Sequence, residues 1–180
     1  FPDPTIKLYK EVAKMNAELR KVKVYDGMSR ETTAFNAELW IDGKLAAHVE
    51  NDGGGGPNFL RWVDMMHGKS AFQKAFDAWT EAMPPVPVED EWAIGRDFGP
   101  MAMDAELWIG EEVERIALEQ QLRRACGRNT LIRLEGDGAN EWRTFKPAMK
   151  FTPDLAAKLR AKHGANLIEI INERFIKGAK

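Results

Sequence analysis

With 180 residues, the chain is long enough for one well-buried core and short for two. Apolar residues make up 44% and charged residues 30%, and the formal net charge is −2, so there is no whole-molecule reason for nonspecific attraction to nucleic acid or membrane. The one cysteine, Cys126, excludes an intramolecular disulfide framework and points to a reducing compartment; no apolar run approaches bilayer-spanning length.

The opening stretch is charged and periodic, unlike a signal peptide, and its first residue, Phe1, suggests a start inside a longer reading frame. Asp3 and Pro4 form a cap and first-turn pair, and Leu8, Val12, Met15 and Leu19 recur at helical spacing, which predicts an amphipathic helix. Val22 and Val24 alternate with lysines and predict a strand ending near Asp26 and Gly27. Phe35, Ala37, Leu39 and Ile41 then alternate with polar residues, as do Leu45, Ala47 and Val49 across Asp42-Gly43, which predicts a hairpin. A two-residue turn would put His48 and Glu50 on the apolar face. The hydrophobic pattern therefore selects a three-residue loop pairing Leu39 with Leu45, Ala37 with Ala47 and Phe35 with Val49, with Gly43 left-handed in a bulge. That register sets Asn36 opposite His48 and Trp40 opposite Lys44.

A glycine run, residues 53–56, leads to a fourth strand over 59–63. Ser70 and Gln73 form a capping box for a helix whose buried stripe is Phe72, Ala75, Phe76 and Trp79, with Met83 near its end and Pro84-Pro85 stopping it. After a Pro-rich, acidic connector, Ile109, Val113, Ile116 and Gln120 mark a helix with acids at its start, arginines at its end and Gly127 as its cap. The motif AELWI occurs twice, from Ala37 and from Ala105, once in a predicted strand and once at the head of this helix. Similarity fails on both sides of the match, so it is a local coincidence and not a tandem duplication. A second hairpin is predicted over 130–134 and 141–145, a helix opening at Thr152-Pro153-Asp154 and stopping at His163-Gly164, and a final helix from Asn166 through Phe175, for which a strand is the alternative.

The fold expected is α+β: an antiparallel β-meander with packed helices plus a C-terminal helix–hairpin–helix lobe. It forms a single domain over 1–180, subdivided at most into lobes 1–83 and 101–180 joined by the connector 84–100. Six tryptophans and nine phenylalanines exceed the needs of one small core, so a homo-oligomer is expected.

Four consecutive glycines are the most unusual feature. Their N–H groups could nest a phosphate, although no Gly-Lys-Ser/Thr follows and the loop leads to a strand, so this is not a nucleotide-hydrolase loop. The candidate ligand-binding residues are Asn51, Asp52, Gly53, Gly54, Gly55, Gly56, Asn58, Arg61 and Trp62, with Arg61 as a bidentate contact and Trp62 as a stacking face. On this reading Gly54→Ala with Gly55→Ala would leave the free protein's melting temperature nearly unchanged. His48, His67 and His163 lie on a strand face, a linker and a helix end and form no metal spacing with Cys126, which reads as an ordinary thiol. No catalytic residue, metal site or cofactor is assigned. Charge is uneven: residues 81–119 carry eleven acids and two arginines, a net of −9, and residues 120–150 seven basic residues and three acids, a net of +4. The first could imitate nucleic acid toward a protein partner, and the second could hold phosphate.

The stretch VYDGMSRETTAFNAELWIDGKLAAHVENDGGGG from Val24 and the ending KHGANLIEIINERF resemble small accessory proteins of bacteriophages and other mobile elements. The resemblance implies a genomic setting, the cytoplasm of a bacterial host, and carries no functional residue with it. The function expected is non-enzymatic: neutralising a host defence component by sequestering a phosphorylated signalling ligand. The first alternative is direct inhibition of a host defence protein by the acidic surface, with no membrane involved. The second is a metal-assisted nuclease or phosphodiesterase.

Overall fold

The computed structural model describes residues 15–87 and 100–176; the expected N-terminal helix up to residue 14 and most of the Pro-rich connector lie outside the described residues. The chain divides into two compact units, Phe1–Ile116 and Ala117–Lys180, with the boundary inside one long helix.

In the first unit, β1 (Ala17–Val24), β2 (Phe35–Ile41), β3 (Lys44–Asn51) and β4 (Phe59–Trp62) form a four-stranded antiparallel meander in chain order, as the alternation predicts. Leu19 belongs to β1 and is buried there, so it is not part of the helical stripe assigned to it. The β2–β3 hairpin corrects the expected register. Ile41 pairs with Lys44 across a two-residue turn whose Asp42 and Gly43 have φ of 49° and 75°, the positive pair that a tight hairpin turn requires. A bulge then leaves Ala46 without a register partner. Beyond it Leu39 faces Ala47, Ala37 faces Val49, and Glu38, not Asn36, faces His48. Asp-Gly decides the turn and the apolar alternation decides the faces; the extra residue that parity demands sits in the strand instead of the loop.

The inner sheet face carries Leu19, Phe35, Ala37, Leu39, Ile41, Ala47, Val49 and Trp62. Two helices complete its core: α1 (Ala71–Glu81), with Phe72, Phe76 and Trp79, and the first turns of α2 (Ala105–Cys126), with Trp108, Ile109 and Val113. Phe76 is fully buried, 5.4 Å from Trp108 and 5.9 Å from Trp79 between ring centroids. On the outer face Glu38 accepts from Lys21 Nζ at 2.9 Å and Trp40 Nε1 at 3.0 Å, and the Arg20 guanidinium lies 4.2 Å over the Trp40 ring.

In the second unit, β5 (Leu131–Leu134) lies between β6 (Arg143–Thr144) and β7 (Leu167–Ile170), and α3 (Pro153–His163) packs Ala156 and Leu159 against Ile132 and Ile170. The closing apolar run is thus a strand, followed by a 3-10 turn at Ile171–Phe175, where a final helix was expected. Leu167–Ile170 completes a sheet that the short β6 alone could not. Asn172 fixes its end: Oδ1 accepts from Leu131 N at 2.8 Å, and Nδ2 donates to the carbonyls of Cys126 and Asn129. Burial raises the Cys126 thiol pKa.

The start of α1 is capped twice. Ser70 Oγ accepts from Gln73 N at 2.9 Å, and the Asp64 carboxylate takes the Ser70 hydroxyl and the N–H groups of Ala71 and Phe72. These bonds, the Ser70 hydroxyl foremost, lower the Asp64 pKa. A carboxylate pKa lowered by folding stabilises above its unfolded value, roughly pH 4. That stabilisation fades as pH falls through the folded value. Asp64→Ala is expected to lower the melting temperature at pH 7, with the gap from the parent protein closing as pH falls from 4 toward 2; a gap independent of pH would contradict the assignment.

Candidate functional site

The glycine run is held by its own neighbours. Asn51 Oδ1 accepts from Gly53 N and Thr32 Oγ1, both at 2.8 Å, while its Nδ2 donates to Gly56 O at 3.0 Å and Asn58 Oδ1 at 3.1 Å. Asp52 Oδ1 accepts from Gly54 N at 2.9 Å, and Thr32 Oγ1 accepts from Gly55 N at 3.2 Å. The bonds from Gly53 N to Asn51 Oδ1 and from Gly54 N to Asp52 Oδ1 each span two residues, the Asx-turn geometry that Asn and Asp favour. Gly53 O in turn accepts from Arg30 N and Glu31 N, each at 3.1 Å. Three of the four glycine N–H groups therefore already donate within the chain.

Close approach is the reason for glycine here, but the thing approached is protein. Gly53 is buried with φ +83°, and a Cβ there would stand 2.5 Å from Met28 O and 3.0 Å from Ala34 Cβ. Gly55 has φ +87°, and a Cβ would strike the Glu31 carboxylate. A Cβ on Gly54 would meet only the Asp52 side chain, at 3.2 Å.

The loop separates two grooves. One, of about 530 Å³, lies between the 29–33 segment and the first turns of α2, and contains Asn51 and Asn58 from the candidate set. Among its described lining residues are four carboxylates, Glu31, Glu106, Glu111 and Glu114, against one cation, Arg30. Glu106 ties α2 to the sheet: both its carboxylate oxygens accept from Asn58 N, at 2.8 and 3.0 Å. Gly110 borders the open space of the groove, and a Cβ there would find nothing within 4 Å. The other groove, also about 530 Å³, holds Asp52 and Gly56 with Tyr25, Glu50 and Phe59 on the opposite side of the loop.

The remaining candidates are not brought into one site. Trp62 is 7% exposed and packs 6.2 Å from Phe76, so it belongs to the core and offers no stacking face. Arg61 projects to the outer sheet face opposite His48, about 10 Å along the strand from Asn58. Sequence reasoning missed Glu31 and Gly110 as site residues. Glu106, Glu111 and Glu114 lay in the acidic stretch it did single out, and Glu111 and Glu114, three residues apart, are neighbours on the helix surface. Among the described residues no group of three or more His, Cys, Asp or Glu is placed to hold a metal ion, and no helix is long and apolar enough to cross a membrane.

The three glycines thus respond differently to a methyl group, and the expectation of a silent double substitution at Gly54 and Gly55 fails at Gly55. Gly53→Ala is expected to destabilise by about 2 kcal/mol, lowering the melting temperature by roughly 4–8 °C. Gly54→Ala leaves it nearly unchanged. Equal, small effects at both positions in a thermal melt would contradict the close approach.

No match to the chain was found among protein-family models, curated proteins or solved structures.

Proposed function

We propose that the protein is a phage or mobile-element accessory protein that works in the cytoplasm of a bacterial host and neutralises a defence protein by binding it directly. The binding surface is the acidic groove between the 29–33 segment and α2, and the partner presents a basic face of the kind that ordinarily holds nucleic acid. The observation that carries this reading is the lining of the groove: Glu31, Glu106, Glu111 and Glu114 face one cation, Arg30. Such a field attracts a basic partner and repels a phosphate.

Sequestration of a phosphorylated ligand, the other reading of the glycine loop, finds less support. The amides of Gly53, Gly54 and Gly55 are occupied by Asn51, Asp52 and Thr32, and Arg61 and Trp62 are directed elsewhere. Self-association belongs to the same proposal, since Val63, Met65 and Met66 follow one another closely after β4 and are 49%, 46% and 70% exposed.

Plating efficiency on a defended host tests the proposal. Glu111→Lys with Glu114→Lys, and separately the uncharged Gly110→Leu, are expected to abolish protection of the phage, while Gly54→Ala retains it. Both α2 changes sit at exposed or open positions, so the fold survives them. Full protection by both α2 variants, or a melting shift of the protein with a nucleotide that Gly54→Ala removes, would favour the ligand reading instead.

A further inference from the structure

The second groove has a composition the acidic field does not explain. Two large apolar side chains are left open at its rim, Phe59 at 61% and Met28 at 55% exposed. Tyr25 supplies a second ring, and Glu50 and Asp52 supply two carboxylates. Among the described residues none makes an ion pair or hydrogen bond with the Glu50 carboxylate, whereas Asp52 is partly engaged by the Gly54 amide. Rings and a methionine beside two carboxylates suit one kind of guest, a cationic head on an apolar stem, because ring faces attract cations and the carboxylates complete the charge. Two cations flank the groove without lining it: Lys23, whose Nζ is 5.9 Å from the Tyr25 ring centroid, and Arg61, on the outer face beyond Phe59. They limit the groove to a single inserted cation and argue against a run of them.

We propose that this groove anchors one arginine or lysine side chain of the basic partner, with Phe59 and Met28 against the stem and Glu50 and Asp52 facing the head. The inference rests on the proposed binding of a basic partner and deepens it. The partner's chain passes over the glycine loop, with its broader basic surface over the Glu111–Glu114 groove and one side chain in the Phe59 groove. Because Asn51 and the 52–56 backbone fix the wall between the grooves, the two contacts keep a set spacing.

The probe is a fluorescein-labelled twelve-residue peptide with four arginines separated by serine and glycine, titrated into the full chain at low salt. Phe59→Ser changes no charge and removes an exposed ring, so a melting curve like the parent's confirms the fold. The expected result is that Phe59→Ser and Glu50→Gln each weaken binding by about fivefold or more, as hot-spot truncations do. Glu111→Lys with Glu114→Lys weakens it independently. If Phe59→Ser and Glu50→Gln bind like the parent while the α2 variant binds worse, the anchoring groove is overturned and the basic-partner reading stands. If the parent does not bind the peptide, or no variant differs from it, both fall. A single-stranded oligothymidine that binds more tightly than the peptide, and loses that binding in Phe59→Ser, would overturn the inference by making the groove a base-stacking site.

Discussion

The approach of the Gly53 backbone to the segment between β1 and β2 is the contact on which the candidate site depends. Met28 O and Ala34 Cβ leave no space for a side chain at Gly53, and the Gly53 carbonyl gathers the amides of Arg30 and Glu31. A loop that sequence alone reads as a free tip is therefore a wall, joined to a second loop by backbone hydrogen bonds and pinned by the Asn51 side chain. Each groove exists because that wall stands between them. The same bonds remove the feature that makes glycine runs good anion sites, a set of adjacent amides pointing at open space.

Electrostatics follow from α2. Glu106 near its N-terminus complements the helix dipole and takes the Asn58 amide, while Arg123 and Arg124 occupy its last turn. Structural need accounts for that pattern. It accounts less well for Glu111 and Glu114, which are exposed, and for Gly110, whose presence inside a helix costs about 1 kcal/mol relative to alanine. An alanine at Gly110 would meet no neighbour, so no close packing within the described residues demands glycine there. The proposed binding of a basic partner gives Glu111 and Glu114 a role that helix stability does not.

Much of this was legible in the chain, in places where two sequence rules agree. The two AELWI copies separate cleanly: Asp42-Gly43 follows the first and ends a strand, while Val113 and Ile116 follow the second at helical spacing. In consequence Trp40 lies on a sheet face under Arg20, and Trp108 enters the aromatic cluster on Phe76. Where rules compete, reading failed. Turn chemistry and face alternation demanded different parities in the β2–β3 hairpin, and the bulge at Ala46 that satisfies both has no mark in the sequence. The run from Leu167 has no period long enough to separate strand from helix; pairing with β5 decides it. At the site, the Asn51–Gly53 and Asp52–Gly54 Asx turns are local, but the glycine run was read as a nest for an anion and not as amides bound by the side chains before them. That Thr32 and Met28 would meet those glycines is a contact across more than twenty residues, and no local pattern encodes it.

The central claim is that the glycine-loop amides are committed to the chain itself, and residue-resolved amide hydrogen exchange tests it most directly. The account predicts that Gly53, Gly55, Arg30 and Glu31 exchange about tenfold or more slowly than their intrinsic rates, an opening free energy of at least ~1.4 kcal/mol. Exchange of all four at intrinsic rates, slowing only when a phosphate-bearing nucleotide is added, would contradict it and return the loop to the role of an anion nest.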